Sequence, residues 1–431
     1  MFFRQVVDPD LGCASYVLGD AGEAIVVDPG IRVEALEAVL EEERATARWI
    51  LETHTHADHV SGRALLDGPA LLPAPGDAFR AGEVRVEALA APGHRPEHVA
   101  LVVTDTARSA EPLALLSGDS LLVGDLARPD LAVDARAGAR ALHATLTGFA
   151  ELPDHVELWP GHTGGSLCGG ANLSAKRSST LGYERRANPL LAVADADAFT
   201  TLLIADLPAR PPTVERVVAR NRSARPAAPP PSRADLAAAV AAGAVLVDGR
   251  PMDAFDAAHL RGALNLPLTG RGIGTRAGFL LDPEAELAVT AATESEAFEL
   301  ARRLRAVGLD RIAAVAPFEA AAFGEPPAHR GPIDVAELPA RLLDGVTLVD
   351  VRDEPEWRGG HVAGSLHLPL HRLRTHAAGL PRVPLAVACA AGPRAAAAAS
   401  ALRWIGHDAV RVAGGGVGDL ERLGVPLVRG G

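Results

Sequence analysis

Three histidines and a carboxylate fall within six residues at His54, His56, Asp58 and His59, inside Thr53-His54-Thr55-His56-Ala57-Asp58-His59. Imidazole nitrogens and carboxylate oxygens are ligands for divalent transition metals, so this crowding predicts a metal site. Arg48-Trp49-Ile50-Leu51, just before it, reads as a buried strand. Further donors stand at the ends of later apolar runs. His94 lies in Ala91-Pro92-Gly93-His94, Asp119 follows Leu113-Ala114-Leu115-Leu116-Ser117-Gly118, and His162 follows Val156-Glu157-Leu158-Trp159-Pro160-Gly161. Ligands in open sheets collect at the carboxyl ends of strands, so these positions can converge. The glycine before each of the last three lets the backbone turn sharply.

A second reactive position is Cys389. It ends the strand-like Val387-Ala388, and Ala390-Ala391-Gly392-Pro393 leads tightly into an alanine-rich helix opened by Arg394. Backbone N–H groups and the dipole at a helix N-terminus favour a thiolate, and Arg394 is expected to add positive charge. Such a cradle suits a cysteine persulfide, or an anion such as thiosulfate or sulfite. Cys168, six positions after His162, reads either as packing in a glycine-rich loop or as a transient persulfide carrier. Cys13 reads as a small core residue, His98 as loop packing or as a group supporting the metal ligands, His143 and His155 as surface residues, and Asp28 as a residue shaping the loop beneath the metal.

These groups need a scaffold, and the composition allows one. The chain has 431 residues, 48% hydrophobic and 22% charged, enough for several domains with cores of their own. A net charge of -12 with no block of Lys or Arg argues against nucleic-acid binding. The start of the chain has no signal-peptide pattern, and no apolar run is long and glycine-poor enough to span a bilayer. Three cysteines make no disulfide framework. The expectation is a cytoplasmic protein without a membrane partner, with a homo-oligomer left open.

Tyr16-Val17-Leu18 and Ala24-Ile25-Val26-Val27 read as paired strands, and Leu36, Val39 and Leu40 recur at helical spacing. Strand and helix alternate throughout, which predicts an α/β protein. Residues 1–220 form a first domain and 221–233 a proline-rich linker. Residues 234–323 and 334–431 form two smaller α/β units joined by a linker at 324–333. The two units repeat each other. Val245-Leu246-Val247-Asp248-Gly249-Arg250 matches Thr347-Leu348-Val349-Asp350-Val351-Arg352, and the stretch from His259 to Leu268 matches that from His361 to Leu370. Aligning Gly308 with Gly406 sets Ala291 opposite Cys389 and Glu296 opposite Arg394. The first repeat is therefore expected to be catalytically dead.

The motifs resemble known families. His-x-His-x-Asp-His at His54, His56, Asp58 and His59, with His94, Asp119 and His162, resembles the metallo-β-lactamase fold, which implies an αββα sandwich for the N-terminal domain. Asp350-Val351-Arg352, Gly360-His361-Val362-Ala363-Gly364-Ser365 and the Cys-x-x-Gly-x-Arg loop at Cys389–Arg394 resemble rhodanese domains. That loop spacing suits a sulfurtransferase, the related phosphatases having one residue more. The whole chain resembles the persulfide dioxygenase–rhodanese fusions, in the version whose first rhodanese unit is inactive. The run from Ser117 to Asp130 matches their Gly-Asp-x-Leu…Gly-Arg-x-Asp block, with Ala127 in place of glycine. The stretches 161–169 and 179–184 look like the same enzymes.

The resemblance implies one Fe(II) per chain, held by His54, His94 and Asp119. Two imidazoles and a carboxylate on one face suit non-haem iron and O2. His56, Asp58, His59 and His162 would then be an outer shell, or the ligands of a second metal, since the ligand types also allow one or two zinc ions. Arg128 is expected to pair with a substrate carboxylate, and Cys168 and Tyr183 to contribute to substrate binding. Cys389 and Arg394 would be the catalytic pair of the sulfurtransferase. The implied activity is oxidation of a low-molecular-weight persulfide by O2 to sulfite, as in sulfide detoxification, coupled to sulfane-sulfur transfer to or from thiosulfate. Two alternatives stand beside it: a dinuclear zinc thioester hydrolase of the glyoxalase II kind, and a sulfur carrier or sensor without turnover. The thiol carrier is not specified among glutathione, coenzyme A, bacillithiol, mycothiol and cysteine.

Overall fold

The computed structural model describes residues 1–164, 166, 168–170, 172–223, 234–323 and 327–430. It forms two compact units, Met1–Arg210 with Val214–Ala228, and Pro211–Thr213 with Pro229–Gly431. No helix among the described residues is long and apolar enough to cross a membrane.

Two sheets face each other in the first unit. One runs in the order Phe2–Val7, Ala14–Asp20, Glu23–Val27, Thr46–Leu51, Ala70–Leu71. The other runs Ser179–Thr180, Glu157–Pro160, Ala114–Gly118, Val99–Asp105, Val84–Ala90, Ala78–Ala81. Strand side chains alternate between faces, and both sheets use both faces for burial. Leu18, Ile25, Val27 and Leu51 point between the sheets, where they meet Val86, Leu101, Val103 and Leu116. Their neighbours Val17, Val26 and Ile50 face outward onto Leu36 of helix Glu34–Glu42. On the second sheet Ala100, Leu115 and Leu158 face outward onto Leu142 and Phe149 of helix Ala135–Phe149. The result is the αββα sandwich of the metallo-β-lactamase fold.

Strand Thr46–Leu51 is parallel to Glu23–Val27, and Ala114–Gly118 is parallel to Glu157–Pro160. The carboxyl ends of these strands release His54, Asp119 and His162 on the same side. Gly118 is required there. Its φ is +51°, and a Cβ on it would lie 2.5 Å from His98 Nε2 and 2.7 Å from Thr53 Oγ1.

The second unit holds two parallel sheets with the same core order. The first is Leu264–Asn265, Val245–Asp248, Leu287–Ala291, Ile312–Pro317. The second is Leu366–His367, Thr347–Asp350, Leu385–Ala388, Ala409–Ala413, with Ile333–Asp334 added at its edge. Helix Val214–Arg222 runs through the position where the sequence suggested a linker starting at 221. The apolar face formed by Val214 and Val217 is buried and carries the helix that far. Residues 224–233 of that linker, and 324–326 of the second, lie outside the described residues.

Candidate metal centre and sulfur-carrying loop

His54, His94 and Asp119 are fully buried, and one donor atom from each lies within 4.8 Å of the others. His94 Nε2 is 3.5 Å and His54 Nε2 3.9 Å from Asp119 Oδ2. None of these three atoms has a hydrogen-bond partner. Three buried polar atoms left bare and aimed at one point are costly unless something binds them. Donors each about 2.1 Å from one ion stand roughly 3–3.5 Å apart, close to the spacings seen. The three residues therefore fit a single divalent ion.

The surroundings fix which nitrogen is bare. His94 Nδ1 donates to the carbonyl of Arg128 at 2.8 Å, and a carbonyl only accepts, so Nε2 keeps its lone pair. Thr53 donates its N–H and its hydroxyl to the two oxygens of Asp28, at 2.7 and 2.8 Å. The Thr53 oxygen, 3.0 Å from His54 Nδ1, is then free to accept from it, which leaves His54 Nε2 bare as well. Burial pushes both histidines below the ordinary value, and neighbouring histidines push His54 further. Both are neutral at physiological pH, the state that a metal requires.

Of the other motif residues, His162, Asp58 and His59 form a hydrogen-bonded chain. His162 Nδ1 is 2.7 Å from Asp119 Oδ1 and its Nε2 2.9 Å from Asp58 Oδ2. Burial opposes charge on His162, but the carboxylates on both nitrogens hold its pKa well above the usual histidine value. Asp58 also takes His59 Nδ1 at 3.2 Å and the thiol of Cys13 at 3.1 Å. These four residues could hold a second ion; Asp58 is already bonded to the other three, while His59 Nε2 is left bare. His56 Nε2 is 3.1 Å from Asp28 Oδ1, while its Nδ1 is buried without a partner. Burial would lower its pKa, yet Asp28 raises it to about 9.

Several residues carry parts that their sequence context did not reveal. His98 Nε2 accepts the N–H of Asp119 at 2.9 Å, and burial pushes its pKa down to about 4. Its place in the loop just after His94 was the only signal. Asn221 donates to the carbonyls of His56 and His59, both at 2.9 Å, and accepts from Ser61 N–H. Nothing in the sequence near Asn221 points to a partner 160 residues away. Cys13, read as a core residue, lies against Asp58. Asp28 does shape the loop beneath the site, from a left-handed backbone position at φ +50°.

The expected substrate contacts fare differently. Arg128 is 3% exposed and grips Asp130 with two bonds of 2.7 Å. Its guanidinium holds Asp130, and its main-chain carbonyl accepts from His94 Nδ1. Cys168 is fully buried, with its sulfur within 4.8 Å of donors on Asp119 and His162. Burial, then Asp58 and Asp119, hold its pKa well above the ordinary thiol value, so it is a neutral thiol. Tyr183 is 57% exposed on helix Leu181–Ala187, with the Lys176 ammonium 5.9 Å from its ring.

In the second unit Cys389 follows strand Leu385–Ala388 and is 2% exposed. The N–H of Gly392 donates to its sulfur at 3.1 Å. Gly392 has φ +100° and starts helix Pro393–Trp404. Arg394 is bound at 2.6 and 2.8 Å by both oxygens of Glu356 and at 3.2 Å by Asp353. Its charge is thus compensated by two carboxylates, and the sulfur's direct donor is the backbone. In the first repeat, register pairs Asp248 with Thr290 just as it pairs Asp350 with Ala388, so Ala291 does stand where Cys389 stands. Glu296, however, does not replace Arg394. Thr293 caps helix Glu294–Ala306 in a capping box with Glu296, and this loop is one residue shorter. Ser295 occupies the helical position of Arg394.

Residues 8–70 match the metallo-beta-lactamase superfamily and residues 334–421 the rhodanese-like domain. The chain is a metallo-beta-lactamase–rhodanese fusion. The chain is similar to persulfide dioxygenase ETHE1, mitochondrial, of Mus musculus, 26% identical over 252 residues that make up 53% of this chain and 91% of the relative. It is also similar to hydroxyacylglutathione hydrolase of Rhodobacter capsulatus, 29% identical over 255 residues, 55% of this chain and 88% of the relative. A solved metallo-beta-lactamase from Staphylococcus aureus superposes with a TM-score of 0.66 and 28% identity, covering 73% of the fusion and 98% of that chain. Relatives of this fold bind metal.

Proposed function

We propose that this fusion is an enzyme of sulfur metabolism, an iron-dependent persulfide dioxygenase joined to a sulfurtransferase. The observation that carries the reading is the convergence of three bare, buried donors, on His54, His94 and Asp119, within 4.8 Å of one another. Two imidazoles and one carboxylate are the donors of a facial triad. Iron(II) held there supplies the redox chemistry that joins a persulfide's outer sulfur to O2. In overall balance, one persulfide, one O2 and one water give one thiol and one sulfite.

The protein groups have definite tasks. The Arg128 carbonyl and Thr53 hold His94 and His54 in the tautomers that leave Nε2 free. His162, kept charged, holds one oxygen of Asp119 and turns the other toward the two histidines. At the second site Cys389 carries the sulfane sulfur as its persulfide. Sulfite attacks the outer sulfur, the S–S bond to Cys389 breaks, and thiosulfate leaves. The Gly392 N–H stabilises the cysteine thiolate that remains. Linking the two sites raises the local concentration of sulfite near the second.

The likeness to hydroxyacylglutathione hydrolase supports a second reading, hydrolysis of a glutathione thioester at two metal ions. The rhodanese-like domain has no part in that reaction, which favours the first. The test is oxygen uptake against thioester hydrolysis in protein prepared without air. The proposal expects oxygen uptake that depends on an added low-molecular-weight persulfide. Thioester turnover with no oxygen uptake would replace it with the hydrolase.

A further inference from the structure

The first repeat has lost the sulfur-carrying cysteine, yet it is packed against the loops that surround Cys389. A Cβ placed on Gly392 would lie 3.2 Å from Cε and 3.3 Å from Sδ of Met252. Met252 begins helix Met252–Ala257 of the first repeat, and Gly392 is the residue whose N–H holds the Cys389 sulfur. A thioether is therefore seated against the sulfur cradle itself.

The contact is fastened on both sides. Asp253 and Asp256, on the same short helix as Met252, both bind Arg411 of strand Ala409–Ala413. Asn265 N–H donates to Ser400 in the helix that follows Cys389, at 3.0 Å. Further round the site, the Phe279 ring lies 5.9 Å from that of His371, which faces Asp353. Arg374 holds the carbonyl of Leu281 at 2.8 Å beside it. Cys389 is 2% exposed, so a partner must approach through whatever gap these neighbours leave.

We propose that the cysteine-free repeat forms a wall of the Cys389 site, and that Met252 selects the sulfur acceptor by size. Small inorganic acceptors such as sulfite would reach the outer sulfur past the thioether. Thiols on a bulky carrier, glutathione or larger, would be hindered. The inference rests on the sulfurtransferase reading above. The chemistry is unchanged in either case: the acceptor's sulfur forms the new bond to the outer sulfur, and the Cys389 thiolate leaves. Loss of the cysteine is then compatible with retention of the repeat, because its surface still works for its neighbour.

Two measurements on the full chain test this. In Met252→Ala, kcat/KM with glutathione as acceptor should rise about tenfold relative to sulfite, mainly through KM. Met252→Leu, which keeps the volume, should leave the ratio as in the parent. An unchanged ratio in Met252→Ala would overturn the proposal. The second measurement needs no turnover: Cys389 alkylation by iodoacetamide and by a bulky maleimide, followed by peptide mass spectrometry. The bulky reagent should gain on the small one in Met252→Ala only. If that shift occurs while the parent transfers no sulfur at all, the wall stands and the sulfurtransferase reading falls. If neither ratio moves while the parent transfers sulfur normally, the wall falls and the reading stands.

Discussion

The N-terminal site contains two sets of buried donors that differ in what they are bonded to. His54, His94 and Asp119 each turn one bare atom toward the others, while in the second set Asp58 bonds His162, His59 and Cys13 and leaves only His59 Nε2 bare. The same motif feeds both sets, His54 the first, and Asp58 and His59 the second. The difference lies one layer further out. The Arg128 carbonyl and Thr53 turn the first pair of imidazoles so that their lone pairs converge. In the second set two carboxylates engage both nitrogens of one imidazole, His162. Donor types are compatible with one ion or two, so the metal count separates the two readings.

Breaking the first set should have the largest effect. His94→Ala or Asp119→Ala should lose the metal and bring oxygen uptake to background, while thiosulfate chemistry at Cys389 persists. Metal analysis beside both assays checks this; metal retained in either variant would remove the triad. Cys389→Ser should give the mirror image, with no sulfur transfer and sulfite formation intact. Equal loss of both activities would show that the two sites do not divide the labour. His162→Gln tests the outer set. It removes the charged bridge between Asp119 and Asp58, and metal affinity should fall by about 10- to 100-fold without being lost. Complete loss would make His162 a ligand.

Smaller effects should follow from the loop beneath. Asn221→Ala removes three hydrogen bonds that hold the His56–Ser61 turn. A cost of about 1–3 kcal/mol is expected, read as a lower melting temperature. The His56–Asp28 pair gives the mildest prediction. Folding raises the His56 pKa to about 9, so the pair's stabilisation is fully present below the unfolded value near 6.5 and is lost as pH rises through 9. In metal-free protein, His56→Asn should flatten the decline in melting temperature over that window. An unchanged slope would mean that His56 is not charged in the fold.

Much of this was legible in the sequence because the signals are local. His-x-His-x-Asp-His at a strand end, glycine before each later donor, and strand–loop–helix at Cys389 depend on neighbours along the chain. The αββα sandwich follows from alternation such as Val17 outward and Leu18 inward. What stayed hidden depends on partners far apart in sequence. Asn221 reaches back to His56 over 165 positions. The role of the Arg128 main-chain carbonyl, which accepts from His94, is set by a contact across 34 positions. Glu296 looked like a lost Arg394, because aligning helix ends does not reveal a loop shortened by a threonine cap.

The most direct test is metal content measured on the same anaerobic sample that is assayed for persulfide-dependent oxygen uptake. The account predicts about one iron per chain, with activity rising in proportion to iron occupancy, as a single triad requires. Full activity in protein containing two zinc ions and no iron would contradict it.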